Sequence, residues 1–189
     1  MKRLSIRTSR RSGRLRYCPV EHLPSYAFVP GRSPHPTRDP RGHSFGADSA
    51  RFGAPPHPDS WQGHRRWLYQ LDLFNHGYYW EAHEGFEWWW SVGEPPLSSF
   101  FRGLLRLSAA GVKARQGNAA GVRRHCTRAL LLFEGVGLGD AARVLGLNPR
   151  DLERDALSSA LHAERIAHVG CRACDASNVL GVFLQPLRG

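Results

Sequence analysis

Between residues 61 and 134 apolar side chains return every three or four positions, the period of a helix that turns one face to a core. Four segments carry this pattern, and each ends at residues that stop a helix. The first covers about 61–74 and stops at "FNHG", where Asn75 and Gly77 tolerate the backbone of a helix end. The second runs from about 78 to 91, and "VGEPPLSS" breaks it, since Pro95 and Pro96 cannot continue a helix and Ser98 is free to cap the next. The third covers about 98–115 and ends at Gly117; the fourth starts after Asn118 and reaches about 134. A last helix begins at "NPRD": Asn148 can cap it, Pro149 suits its first turn, and Asp151 and Glu153 favour its dipole. No segment alternates as a strand does.

A faint repeat orders these helices. "FNHGYYWEAHEGFEWWW" aligns with "ARQGNAAGVRRHCTRAL" at an offset of 40, which places Gly77 on Gly117, Ala82 on Val122 and Phe86 on Cys126. Each copy is a helix, a glycine turn and a second helix, and two copies are too few for a solenoid. The pattern therefore predicts an all-α fold, a compact bundle of about five helices built from two helical hairpins.

The N-terminal third follows another rule. Residues 1–17 offer no apolar periodicity to bury and are expected to form a disordered basic arm. Residues 18–60 are dense in Pro, Gly and His, which block regular structure, yet carry Tyr26, Phe28, Phe45 and Phe52 to pin them to a surface. They are expected to form an extended arm wrapping the core, followed by a helical domain over 61–169 and a C-terminal tail over 170–189.

Charge sharpens this division. The 189 residues carry a net charge of +10, and residues 1–66 hold 13 Lys or Arg against 4 Asp or Glu, whereas residues 67–189 hold 13 against 12. Nucleic acid is thus a conceivable but not a favoured partner, met through the basic arm. No apolar run is much longer than "ALLLF" at 129–133, so no membrane anchor is expected. The basic opening lacks the apolar stretch of a secretory signal, and a cytoplasmic setting is expected. A homo-oligomer stays open. Cys18, Cys126, Cys171 and Cys174 are then expected as thiols; the C-x-x-C of Cys171 and Cys174, with His162 and His168 upstream, has an unusual spacing for structural zinc, and ordinary thiols are favoured.

The densest chemistry lies in "YYWEAHEGFEWWW", residues 78–90. On a helical wheel Tyr79, Ala82, Phe86 and Trp89 share one face, while His83, Glu84 and Glu87 share another beside Trp80 and Trp90. His83 stands over Glu87 at i, i+4, and rings on nearly every side predict a helix with little water face. Buried carboxylates need partners, and three kinds are open. A divalent metal could take His83, Glu87 and Glu84, completed by His35 or His43 from the arm. A cation could pair with the acids instead. Or the polar groups could simply hydrogen-bond backbone in the arm. On the third helix Arg102, Arg106 and Lys113 fall within about 40° of one another, opposite Phe101, Leu104, Leu105, Leu107 and Val112. This is either a solvated cationic face, the favoured reading, or the source of charges that neutralise the second helix.

"LFNHGYYWEAHEGFEWWW", followed by "FFRGLLRLSAAGVKARQGNAAG", resembles the bacterial and archaeal domain of unknown function 309 family. Its pattern reads approximately F-N-x-G-x-x-x-E-A-H-E-x-x-E-x-x-W, then F-x-Q-G-L-I-Q, then R-x-G-N-x-x-G. The likeness covers about residues 64–135, with Phe74, Asn75, Gly77, Glu81, Ala82, His83, Glu84, Glu87 and Trp90 in register. The "PHPTRDPRGHSFG" arm resembles an extension found in part of that family. The resemblance implies a small all-α fold and no established activity. Arg102 and Arg106 stand where the pattern has glutamines, which weakens any metal carried over by analogy.

Two function classes follow. In one, a polar pocket where the arm crosses the second helix binds a small ligand or a metal and has a hydrolytic chemistry. His83 is then the general base, oriented by Glu87, with Glu84 as a second carboxylate. His35, Asp39, His43, Glu81, Arg102 and Arg106 are its candidate ligand-binding residues, and His83 and Glu87 its candidate metal ligands. In the other, the hairpins are a non-catalytic interaction module for a protein or nucleic-acid partner, and the polar cluster only locks the arm.

Overall fold

In a computed structural model of the chain, residues 16–48, 52–136 and 143–187 are described. The expected basic arm therefore lies, for residues 1–15, outside the described residues. A short 3-10 turn, Trp61–Gly63, precedes α1 (Arg65–Asn75), α2 (Tyr79–Val92), α3 (Leu97–Arg115), α4 (Ala119–Glu134), α5 (Pro149–Leu161) and α6 (Ala163–Arg172). The described residues contain no strand, only an isolated bridge between Val144 and Leu147. No described helix is long and apolar enough to cross a membrane.

The two hairpins close by the same device. After α1, Tyr78 N–H donates to Leu73 O at 2.8 Å and Gly77 N–H to Phe74 O at 3.0 Å; forty residues on, Asn118 N–H donates to Lys113 O at 2.9 Å and Gly117 N–H to Ala114 O at 3.0 Å. These paired bonds satisfy the last carbonyls of each helix and require a left-handed residue between them. Gly77 (φ +84°) and Gly117 (φ +74°) supply it. The aligned Ala82, Val122, Phe86 and Cys126 are all fully buried. The repeat is thus one helical hairpin used twice, with α2 against α3 joining the copies.

Some local expectations need correction. Ser98 does not cap α3, which begins at Leu97 behind Pro96 with no side-chain cap. The described residues form six helices, close to the expected five, the sixth arising because the backbone bends at His162 and starts α6. Asn118 and Asn148 do cap, accepting from Gly121 N–H at 2.8 Å and Arg150 N–H at 2.9 Å.

The N-terminal arm packs on α1 and α2 without regular structure. Residues 173–187 form a second irregular strap, with Leu180, Val182 and Leu184 buried in the core. Asn75 fixes this strap by donating from Nδ2 to Leu184 O at 2.9 Å and accepting Leu184 N–H at Oδ1 at 2.8 Å. Tyr79 Oη donates to Asn178 Oδ1 at 2.9 Å and accepts Leu180 N–H at 3.0 Å.

Candidate functional site

Helix α2 distributes its polar groups between two settings. Its apolar arc is as expected: Tyr79, Ala82, Phe86 and Trp89 are buried. Its remaining surface is less enclosed than the ring content suggests. Trp80, Trp88 and Trp90 are half-buried and Glu87 and Ser91 exposed, so the helix keeps a water edge. Indole rings tolerate this because one end of each can meet a polar group, as Trp88 does in donating to Gly53 O at 2.8 Å.

The first setting holds the arm. Glu81, 6% exposed, accepts Phe28 N–H at 2.9 Å and lies 3.0 Å from His43 Nε2, both on Oε1. His43 is seated by Tyr26, whose ring centroid lies 4.7 Å away, and its Nδ1 is 2.9 Å from Ser44 Oγ. Asp72 of α1 makes a comparable clamp. Its carboxylate accepts Tyr17 N–H and Cys18 N–H, each at 2.8 Å, and faces Arg16 at 3.4 Å. Burial raises the Asp72 pKa above the usual carboxylate range, against the opposing pull of those two amides and Arg16. Phe28, His35 and Trp80 form a ring cluster with centroids 5.1–5.2 Å apart. His35 therefore packs on α2 through Trp80, while Asp39 pairs with Arg41 at 3.0 Å within the arm. His35, Asp39, His43 and Glu81 thus belong to the arm and its anchorage rather than to a shell around His83.

The second setting is the edge of α2. His83 Nδ1 lies 3.5 Å from Glu84 Oε1 and 3.9 Å from Glu87 Oε2. That nitrogen is buried with no hydrogen-bond partner. Both separations exceed an N–H···O hydrogen bond. One ligand atom from each of the three residues falls within 4.8 Å of the others, and among the described residues this is the one group of three or more His, Cys, Asp or Glu so arranged. Cys171 and Cys174 are not part of such a group; their thiols approach the carbonyls of His168 and Arg172.

Arg102 and Arg106, favoured as a solvated cationic face, instead lie beside α2, but among the described residues form no ion pair with its acids. The Arg102 guanidinium lies over the Trp90 ring, 5.2 Å from its centroid. Arg106 is near enough for Glu87 to favour its charge, while burial and then Arg102, Arg128 and Arg124 press its pKa down. Among the described residues neither arginine forms an ion pair with Glu84 or Glu87. Sequence reasoning missed Asp72, although a lone acid between Leu71 and Leu73 on the buried arc was a visible signal. It also missed Arg124 and Arg128, one turn apart on α4.

Residues 67–125, which span most of α1 through the middle of α4, match a family model described as "Domain of unknown function (DUF309)". No curated protein and no solved structure matches the chain.

Proposed function

Taking residues 67–125 as a DUF309 domain, we propose that the protein binds a divalent metal ion at the α2 edge through His83, Glu84 and Glu87. The observation that carries this reading is the buried, unpartnered Nδ1 of His83 between two carboxylate oxygens at 3.5 and 3.9 Å. Neighbouring ligands around an ion held at about 2.1 Å stand roughly 3.0–3.4 Å apart, so small rotamer shifts would bring all three atoms into one coordination sphere. Glu81 and Asp72 hold the arm, so the fold does not need His83 for that purpose.

An imidazole with two carboxylates suits zinc or manganese. Three protein ligands at a half-exposed edge leave positions for water, and a bound ion makes such water acidic enough to act as hydroxide near neutral pH. Hydrolysis of a small ligand is the chemistry this supplies. His83 then serves as a ligand rather than a general base, because Nδ1 has a single lone pair.

Calorimetric titration of zinc or manganese into metal-free protein tests the reading. Wild type is expected to take up about one ion per chain, with His83→Ala and the double variant Glu84→Gln, Glu87→Gln at least tenfold weaker. Equal uptake by His83→Ala, or none by wild type, would exclude it.

A further inference from the structure

The charge of residues 67–189 nearly cancels, but it is unevenly spread: from Leu97 to Glu134 there are seven Lys or Arg and one acid, Glu134 itself. Arg102 and Arg106 stand one turn apart on α3, and Arg124 and Arg128 one turn apart on α4, which packs along α3. Arg102, Arg106 and Arg128, with Leu131 and Leu132, line a groove of about 400 Å³. Some other arginines of the bundle are paired with acids: Arg123 with Glu164, Arg150 with Glu153, Arg154 with Asp151. Among the described residues the three arginines that line this groove, and Arg124 one turn before Arg128, have no carboxylate partner. Arg102 is held by the Trp90 ring, and Arg106 is half withdrawn from water. His125, beside Arg106, Arg124 and Arg128, has a buried Nδ1 without a hydrogen-bond partner.

Gathering unneutralised like charges raises the energy of the folded chain. A solvated cationic face would spread them, whereas here three guanidiniums from two helices converge on one concavity. We propose that this groove binds the phosphate group of a small phosphorylated ligand. Guanidinium forks match phosphate oxygens two at a time, and several forks suit a group carrying two or more negative charges. Their convergence fits a compact group better than the line of a polymer backbone. Leu131, 61% exposed, and Leu132 offer an apolar wall for the rest of such a ligand. The groove uses none of the proposed ion ligands, although the influence of Glu87 on Arg106 puts the two sites side by side. Either can fail without the other.

Titrating pyrophosphate into the full-length protein, with a chelator present to exclude metal, tests the groove alone. Saturable binding is expected, weakened at least tenfold by Arg106→Gln and by Arg128→Ala and unchanged by Arg150→Ala. Arg128 is exposed, so its variant reports on binding even if Arg106→Gln folds poorly. Absence of saturable binding would overturn the proposal, as would wild-type affinity in Arg128→Ala. Capture of a single-stranded oligonucleotide through Arg128 without any pyrophosphate binding would overturn it too, making the face a nucleic-acid surface. Loss of ion binding in His83→Ala with pyrophosphate binding intact would leave it standing.

Discussion

Glu81 and Glu84 sit three positions apart on α2, and their surroundings give them different tasks. Glu81 is buried and accepts from Phe28 N–H and His43, so truncating it strands a buried amide. Glu81→Ala is expected to cost about 1–3 kcal/mol and to speed amide exchange at Phe28, while Glu81→Gln, which keeps an acceptor, costs less; urea denaturation with hydrogen exchange checks both. His125 carries a pH signature. Burial, followed by Arg106 and its neighbours, lowers its pKa to about 4. The unfolded chain therefore takes up the proton first, so the stability contributed by neutral His125 is full above about pH 6.5 and is lost as pH falls toward about 4. His125→Gln should remove this part of the fall, seen by comparing urea midpoints at pH 7 and pH 5. The nearness of His83 and Glu87 was legible because i, i+4 spacing is fixed by the helix, but the hydrogen bond that spacing suggests is not made, the atoms lying 3.9 Å apart. The contact of His43 with Glu81 was not legible, because the two lie 38 positions apart, with irregular chain and all of α1 between them, and no period relates them.

The helical elements carry the repeat, and their glycines are not equivalent. Both turns need positive φ, but a Cβ on Gly77 would strike the Ser177 backbone, whereas one on Gly117 would meet the Cys171 side chain at 3.1 Å. Gly117→Ala is expected to cost about 1 kcal/mol, the usual penalty of a left-handed alanine. Gly77→Ala should cost clearly more, because backbone cannot move aside; thermal melts of the two variants give the comparison. Helices α1 to α4 were readable from apolar spacing and Gly or Pro punctuation, which are local causes. The bend at His162 was not. It has neither Pro nor Gly, and the residues after it stay compatible with helix, so packing against α3 and α4 rather than local preference ends α5 there.

At the scale of the molecule, two irregular straps finish what the helices begin. The arm is tied by Asp72 and Glu81, the C-terminal strap by Asn75 and Tyr79, and both reach the hairpin that carries the candidate ion site. The expectation that the arm's rings pin it to a surface fits Phe28 and Phe52, which are buried, but not Phe45, which is exposed. Composition did not foretell that Leu180, Val182 and Leu184 would enter the core, because a short apolar strap has no helical period to announce it. Leu184→Ala is expected to cost about 2–5 kcal/mol, as for a fully buried leucine, measurable by chemical denaturation. The central claim is that, once Asp72, Asn75 and Glu81 have been spent on the straps, His83, Glu84 and Glu87 are left to hold an ion. Anomalous scattering from crystals grown with manganese or zinc measures this most directly. The account predicts a single strong peak about 2.0–2.3 Å from His83 Nδ1 and from oxygens of Glu84 and Glu87. A peak at Cys171 and Cys174 with none at His83, or no peak at all, would contradict it.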